Sequence, residues 1–497
     1  MIIDLPPAAA AYADAFPRGD LVAFPIDGID RIGLPVWVVA LFPDDPALDG
    51  IMPYGVGYGS DAGQAVLGAL GEIAEMVFPT LTLSQRRKVH GSYTELARSL
   101  GSHAIADPLT LCLPAGSPVG RDTPLDWVEA RRWKDGSAVL VPIDLAAYSS
   151  KELAPGYRPF TTIISNGMGA GPDLDWAIGH GLCEILQRDG NGLLFRALDR
   201  GVLLDLPDTL PAVTRAAINK VEAAGVRLLP KFATDEFGLT NLYCVGFEDG
   251  GEPPVPIMLT ACGEACHPDR DQALAKAVTE FAASRARKAF AHGPARLAER
   301  VTPADYPARF MARAGSAAKS SDPRAFQAMQ DWTGRSPAEL RNWLADSVHA
   351  VRARKAFDDL PSTPAPDARS RGAAVRAAVE AAGFDILYVD MSPPAAAVAV
   401  AKVIVPGMEV ETMSYGRIGT RGVRKALDLD NGLIRFGAES ETLRPVRLTP
   451  EALDGFGRQP LFDAARAAAL VGPLYPLYRE PEAHHVAAAH QQARVPA

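Results

Sequence analysis

The chain has 497 residues, with 50 Lys+Arg against 59 Asp+Glu and a formal charge of −9 when histidine is neutral. Affinity for a phosphate backbone comes from clustered Lys and Arg, so this balance, with no basic block, excludes a nucleic-acid groove as the starting expectation. Hydrophobic residues at 48 % and charged residues at 22 % exclude disorder for most of the chain, and the length suits about two to four units of 100–200 residues.

The N-terminus, MIIDLPPAAAAYADAF, carries Asp4 where an export signal needs positive charge, and it lacks an apolar segment of the kind such signals use. The first strand signal is Pro35–Phe42, followed by an amphipathic pattern over Asp61–Glu75. Further β-branched runs, Ala138–Ile143 and Thr161–Ile164, precede a second such pattern at Asp173–Gln187. Val255–Leu259 reads as another strand and Asp269–Ala283 as a third helix. From Pro294 to Asp359 the pattern is helical and charged, and Asp358–Gly372 (DDLPSTPAPDARSRG) has the composition of a linker. A second strand-and-helix piece resumes near Ala373 and includes Val398–Val405. After Leu427 the signals weaken, and EAHHVAAAHQQARVPA reads as a loose terminal helix or a disordered tail. The most apolar stretch, Pro393–Met408, is interrupted by Lys402 and falls short of the roughly 18–20 residues that cross a bilayer, so no membrane span is expected. Five cysteines (Cys112, Cys183, Cys244, Cys262, Cys266) are too few for a disulfide framework in so long a chain, and they point to the cytoplasm.

The three amphipathic segments share one pattern. In each an Asp is followed four residues later by Ala (Ala65, Ala177, Ala273) and seven after that by Glu (Glu72, Glu184, Glu280). The flanking apolar positions coincide at helical spacing, so each copy predicts a helix with one buried stripe. The leading Asp stands where a cap would satisfy free N–H groups. Ala69, Gly181 and Ala277, three residues before each Glu, keep the neighbouring surface small, as a close-packed neighbour requires. Packing alone has no use for a carboxylate at one fixed phase, whereas converging acids bind cations. Strand–helix units of this kind give an α/β fold class with internal pseudo-repeats and a helical insertion.

These residues carry a resemblance. Ser165–Asp189 (SNGMGAGPDLDWAIGHGLCEILQRD) resembles the central signature of the YcaO family. Gly57–Met76 and His267–Ala286 fall where that family has its other two nucleotide-binding motifs, and Asp30–Trp37 and Val400–Glu411 resemble its opening and closing segments. The resemblance covers residues 25–425 as one domain, with a helical insertion at 294–359 and a linker at 358–372, flanked by extensions 1–24 and 426–497. It implies an ATP- and Mg2+-dependent enzyme that phosphorylates a backbone amide oxygen of a ribosomally made peptide or a protein, giving an azoline or a thioamide. It further implies Glu72, Glu75, Glu184, Gln187 and Glu280 as Mg2+ ligands, and Arg285, Gly68, Arg417 and Arg421 as ATP contacts. It assigns no catalytic acid or base in this chain.

The family's first motif, Ser-x3-Glu-x2-Glu-Arg, is Gly68, Glu72, Glu75, Met76 here; Gln187 replaces the second motif's last Glu, and Ala283 replaces the third motif's Gln. The chain ends QQARVPA with a lone Pro496, where azoline-forming members carry a Pro-x-Pro-x-Pro tail. This departure favours the thioamide-forming branch with a separate TfuA-like partner; a leader-binding partner and a homodimer are also compatible. Two other function classes stay open: a non-catalytic scaffold that lends a peptide-handling surface to a catalytic partner, and an unrelated metal-dependent hydrolase. Cys262-x3-Cys266-His267 matches no standard zinc spacing and reads as an ordinary loop. His180 and Cys183 read as a surface histidine and a small buried hydrophobe.

Overall fold

The computed structural model describes residues 7–315, 322–394 and 396–492. Asp4 and Pro496 lie outside them. Each repeated segment is a helix: Ala62–Leu83, Leu174–Asn191 and Arg270–His292. Asp61 accepts from the Gln64 N–H, Asp173 from that of Trp176, and Asp269 from those of Asp271 and Gln272, so the capping expectation holds in all three copies.

Each helix packs on the strand that precedes it, Tyr54–Tyr58, Met168–Gly171 or Gly263–His267, and each strand belongs to a different sheet. The first sheet is Gly19–Pro25, Val36–Pro43 and Tyr54–Tyr58, antiparallel throughout. The second, six-stranded, runs Val89–Ser92, Pro124–Arg132, Leu387–Asp390, Ala399–Ile404, Met168–Gly171, with Ala138–Pro142 added on Pro124–Arg132. The third is Gly263–His267, Thr240–Glu248, Val226–Thr234, Val202–Asp205, Ala353–Ala356. The only parallel ladder among the described residues joins the last two strands of that sheet. The fold is mixed α/β, built from three mainly antiparallel sheets each covered by a signature helix, with a small fourth sheet of Ile434–Arg435, Leu461–Asp463 and Leu443–Pro445.

The small residues ahead of each Glu are explained by strand glycines. A Cβ on Gly55 would lie 2.1 Å from the Ala69 carbonyl oxygen, one on Gly263 2.0 Å from that of Ala277, and one on Gly181 2.4 Å from the Gly167 carbonyl oxygen. Strand and helix backbones therefore touch directly, which only glycine on one side and a small residue on the other permit. Each helix also contacts the next copy's strand. Ala62–Leu83 touches Met168–Gly171, Leu174–Asn191 touches Gly263–His267, and Arg270–His292 returns to Tyr54–Tyr58. The three units close a ring.

Two strand expectations fail. Thr161–Ile164 is irregular, because it pairs with no strand and the Ile164 carbonyl instead accepts from the Lys402 ammonium. Val255–Leu259 gives way to a buried 3-10 helix, Pro256–Thr260, as proline at a first helical position favours. Among the described residues one helix, Ala62–Leu83 and not Pro393–Met408, is long and apolar enough to cross a membrane, and its apolar face is buried in a core shared by the first and second sheets. The segment Asp358–Gly372 is tied to the third helix's start: Arg270 donates to the Asp358 and Leu360 carbonyls, and the Thr363 N–H to that of Pro268. At the C-terminus His485–Gln492 is helical, with His484 against Phe290 and Phe310.

Candidate active site

The ring turns one carboxylate of each copy toward a common cleft. The Val56 N–H donates to Glu72 at 2.8 Å, the Gly167 N–H to Glu184 at 2.9 Å, and the Tyr58 hydroxyl to Glu280 at 2.6 Å. The first two donors are backbone groups of or beside the glycine-bearing strands, so close backbone packing is what brings N–H groups within reach of the helical glutamates. Tyr58, from the first copy's strand, meets Glu280 of the third, which fixes two copies to each other at the site.

Glu72 is reachable by solvent while protein surrounds it, the condition of a group on a cleft wall. Burial, then the fields of Glu280 and Glu184, push its carboxyl up to about 7 despite the Val56 hydrogen bond and the Arg287 guanidinium. Burial and then Glu184 and Glu72 raise Glu75 well above the carboxylate range, and burial raises Glu280. Carboxyls that raise one another are what a divalent cation reverses. Among the described residues no three Asp, Glu, His or Cys side chains stand close enough to hold an ion by themselves. Mg2+ suits this arrangement, because it typically takes one or two carboxylates and completes its shell with water and phosphate oxygen.

Cations line the same cleft, and they are not the expected ones. Arg188, one turn after Glu184, lies 3.7 Å from it and 3.0 Å from Glu264. Arg287, two turns after Glu280, faces Glu72 and forms a bidentate pair with Glu480 at 2.7 and 3.0 Å. Arg285 is elsewhere. It is fully buried between Asp30 and Glu248, each 2.7 Å away. Five residues after Glu280 is the far face of an α-helix while seven is the same face, so Arg285 points into the core and Arg287 into the cleft. The assignment of Arg285 to phosphate is therefore corrected: it is a buried structural cation anchoring Asp30 of the opening segment.

Arg421 is likewise bound within the protein, at 2.8 Å from Asp189 and 2.5 Å from Glu236. Arg417 donates to the Cys112 and Leu111 carbonyls at 2.8 Å each and lines a separate cavity behind Glu184. Neither stands among the cleft groups. Gly68 is exposed one turn before Glu72, and a Cβ there would come no closer than 3.5 Å to Gly57. The Gln187 amide donates to Glu264 at 3.1 Å, and Asn191, Arg188 and Arg196 donate to the same carboxylate at 2.9, 3.0 and 3.3 Å. Arg188 and Arg196 hold Glu264 below the usual carboxylate range against the opposing effect of its burial.

Sequence reasoning missed Arg188, Arg287, Tyr58, Glu264 and Lys402. The helical period from Glu184 and Glu280 signals the two arginines, whereas the other three reach the site only through the ring. His180 stacks on Trp176 at 5.3 Å, and burial pushes it down to about 3. His267 accepts from the Asp269 N–H at 3.0 Å.

Comparison with known proteins follows from this geometry. The family model described as YcaO cyclodehydratase, ATP- and Mg2+-binding, matches residues 56–409. An uncharacterized protein of Methanothermobacter thermautotrophicus is 27 % identical over 397 residues, 80 % of this chain and 91 % of that one. A protein of Rhizobium leguminosarum bv. trifolii from the region 3′ of tfuA is 26 % identical over 234 residues, 46 % of this chain and 51 % of that one. Among solved structures, the Methanopyrus kandleri protein bound with AMPPCP and Mg2+ superposes with a TM-score of 0.52 at 17 % identity, covering 81 % of this chain and 89 % of that one.

Proposed function

The chain belongs to the YcaO family, and we propose that it activates a backbone amide of a peptide or protein by ATP- and Mg2+-dependent phosphorylation of the amide oxygen. ATP supplies the phosphoryl group that makes a poor leaving oxygen a good one, and Mg2+ neutralises its charge. The carrying observation is the meeting of Glu72, Glu75, Glu184 and Glu280 from three pseudo-equivalent units in one cleft with Arg188 and Arg287. In this reading the glutamates hold Mg2+ and the two arginines hold phosphate oxygens through their planar forks. Tyr58 orients Glu280, and Glu264 fixes the direction of Arg188. Gln187 offers at most an amide oxygen to the metal, since its amide N–H is committed to Glu264.

Within this activity, a thioamide product and a separate TfuA-like partner are the finer proposal. The relative from the tfuA region supports them. Five free cysteines support a reducing, cytoplasmic setting. The competing reading is a scaffold without turnover, favoured by the engagement of Gln187 with Glu264 in place of a second motif carboxylate.

Thermal stability with and without Mg-ATP tests the nucleotide site. At 100 times Kd the ligand adds about 2.7 kcal/mol. For a chain of this length, at about 2.1 cal/mol/K of unfolding entropy per residue, that is a shift of about 2–3 °C. We expect the shift in the native protein and its loss in Glu184→Ala. No shift in the native protein refutes the nucleotide reading and leaves the scaffold; a shift without phosphate release when peptide and partner are supplied refutes turnover.

A further inference from the structure

Behind the Glu184 wall lies a cavity of about 50 Å³, several times what one water needs by the same measure. Two cations line it, Lys402 from the strand Ala399–Ile404 and Arg417 from the loop after Tyr415, only 2 % and 4 % exposed. Neither has a carboxylate within ion-pair distance among the described residues. Lys402 donates to the Ile164 carbonyl, and Arg417 to two more carbonyls. Buried charges are ordinarily paired, because desolvation costs several kcal/mol per ion. Asn166, whose buried Oδ1 has no partner, shares the cavity, and its neighbour Gly167 donates to Glu184.

The geometry points to a binding site for one small, weakly hydrated monoanion between Lys402 and Arg417, backing onto the catalytic cleft. Charge decides against a dianion. Asp144 and Glu409 also line the cavity, with their oxygens engaged by Tyr157 and the Phe160 N–H, and by the Gly419 and Gly422 N–H groups. Burial favours the neutral form of both carboxyls, so they offset only part of the positive charge. The remaining walls, among them Leu145, Ile185, Val403 and Met408, are apolar, which suits a soft, poorly hydrated ion.

This inference rests on the thioamide form of the proposed function when it names the ion used in turnover, hydrosulfide. Its sulfur then bonds to the activated amide carbon. The C–O bond breaks with its electron pair leaving on the ATP-derived phosphate, and the thiol proton is lost as C=S forms. Oxidation states are unchanged, so no redox partner is needed.

Bromide-soaked crystals test the site directly through anomalous scattering, with hydrosulfide as competitor. We expect a bromide peak between Lys402 and Arg417 that hydrosulfide displaces. In Lys402→Met the loss of one charged hydrogen bond weakens occupancy about tenfold or more. Lys402→Met and, as a second variant, Arg417→Lys are each checked for cooperative melting and for the Mg-ATP shift, so that misfolding is not read as lost anion binding. No peak in the native protein, or a peak undiminished in a folded Lys402→Met, overturns the anion site. A peak that hydrosulfide fails to displace overturns hydrosulfide as the occupant. A bromide peak in a protein that shows no Mg-ATP shift keeps the anion site and refutes the proposed function instead.

Discussion

Arg285 and Arg287 lie two residues apart on one helix and are expected to respond to mutation in opposite ways. Arg285→Met leaves Asp30 and Glu248 as buried carboxylates, 3 % and 0 % exposed at their side chains, Asp30 without its cation and Glu248 with only Arg31 at 3.7 Å. Removing one partner from a buried ion pair costs about 3–5 kcal/mol, a fall in Tm of about 3–5 °C at this chain length. Mg-ATP affinity of the folded variant should be unchanged, because Arg285 does not reach the cleft. Arg287→Met removes a cation that is 34 % exposed, and Lys288 and His292 still hold Glu480 at 3.3 and 3.0 Å. Its stability cost should be under about 1 kcal/mol. The lost charged hydrogen bond to phosphate is worth about 1.5–3 kcal/mol, or about 10- to 150-fold in Mg-ATP affinity. Differential scanning calorimetry and nucleotide titration on the two variants separate these effects. An Arg285→Met protein of native Tm with weakened Mg-ATP binding, or an Arg287→Met protein with native affinity, would refute the helical-face argument.

Relative to Glu72→Gln, a comparison that cancels the opposite effect of buried histidines such as His180, stability without Mg2+ should fall as pH rises from about 4.5 to 7. Glu72 has its folded pKa raised to about 7, so the folded state binds more protons than the unfolded chain through that window. Mg2+ should flatten the dependence by favouring the ionised form, and Tm of both proteins measured against pH with and without the metal checks both; a native Tm that rises relative to that of Glu72→Gln across the window in metal-free protein refutes the assignment. Glu264→Gln leaves Arg188 and Arg196 without their shared carboxylate. It should cost about 3–5 kcal/mol by denaturant unfolding and weaken Mg-ATP binding through Arg188. Gly263→Ala places a methyl 2.0 Å from the Ala277 oxygen and should destabilise by about 1–3 kcal/mol or more. Gly68→Ala, where the nearest atom is 3.5 Å away, should stabilise the helix by about 0.5–1 kcal/mol, and a loss there would show that the space beside Gly68 is not open.

The three signature helices, their Asp caps and the common phase of Glu72, Glu184 and Glu280 are legible in the residue pattern, because capping and helical periodicity are local and repeat within each copy. That pattern also held the choice between Arg285 and Arg287, since residues five and seven after a reference lie on opposite and matching helix faces. The resemblance to a motif pointed to Arg285, and the helical period points to Arg287. Other features depend on long-range packing. Val255–Leu259 has a strand's composition but folds as a 3-10 turn, because burial rewards its apolar residues in either form and Pro256 starts a turn. The ring that passes each helix to the next copy's strand joins segments far apart in sequence, Ala62–Leu83 with Met168–Gly171 and Arg270–His292 with Tyr54–Tyr58. Tyr58 meets Glu280, and Lys402 meets Arg417 and Asn166, only once that ring has closed, because long-range packing sets their positions and no local pattern encodes it.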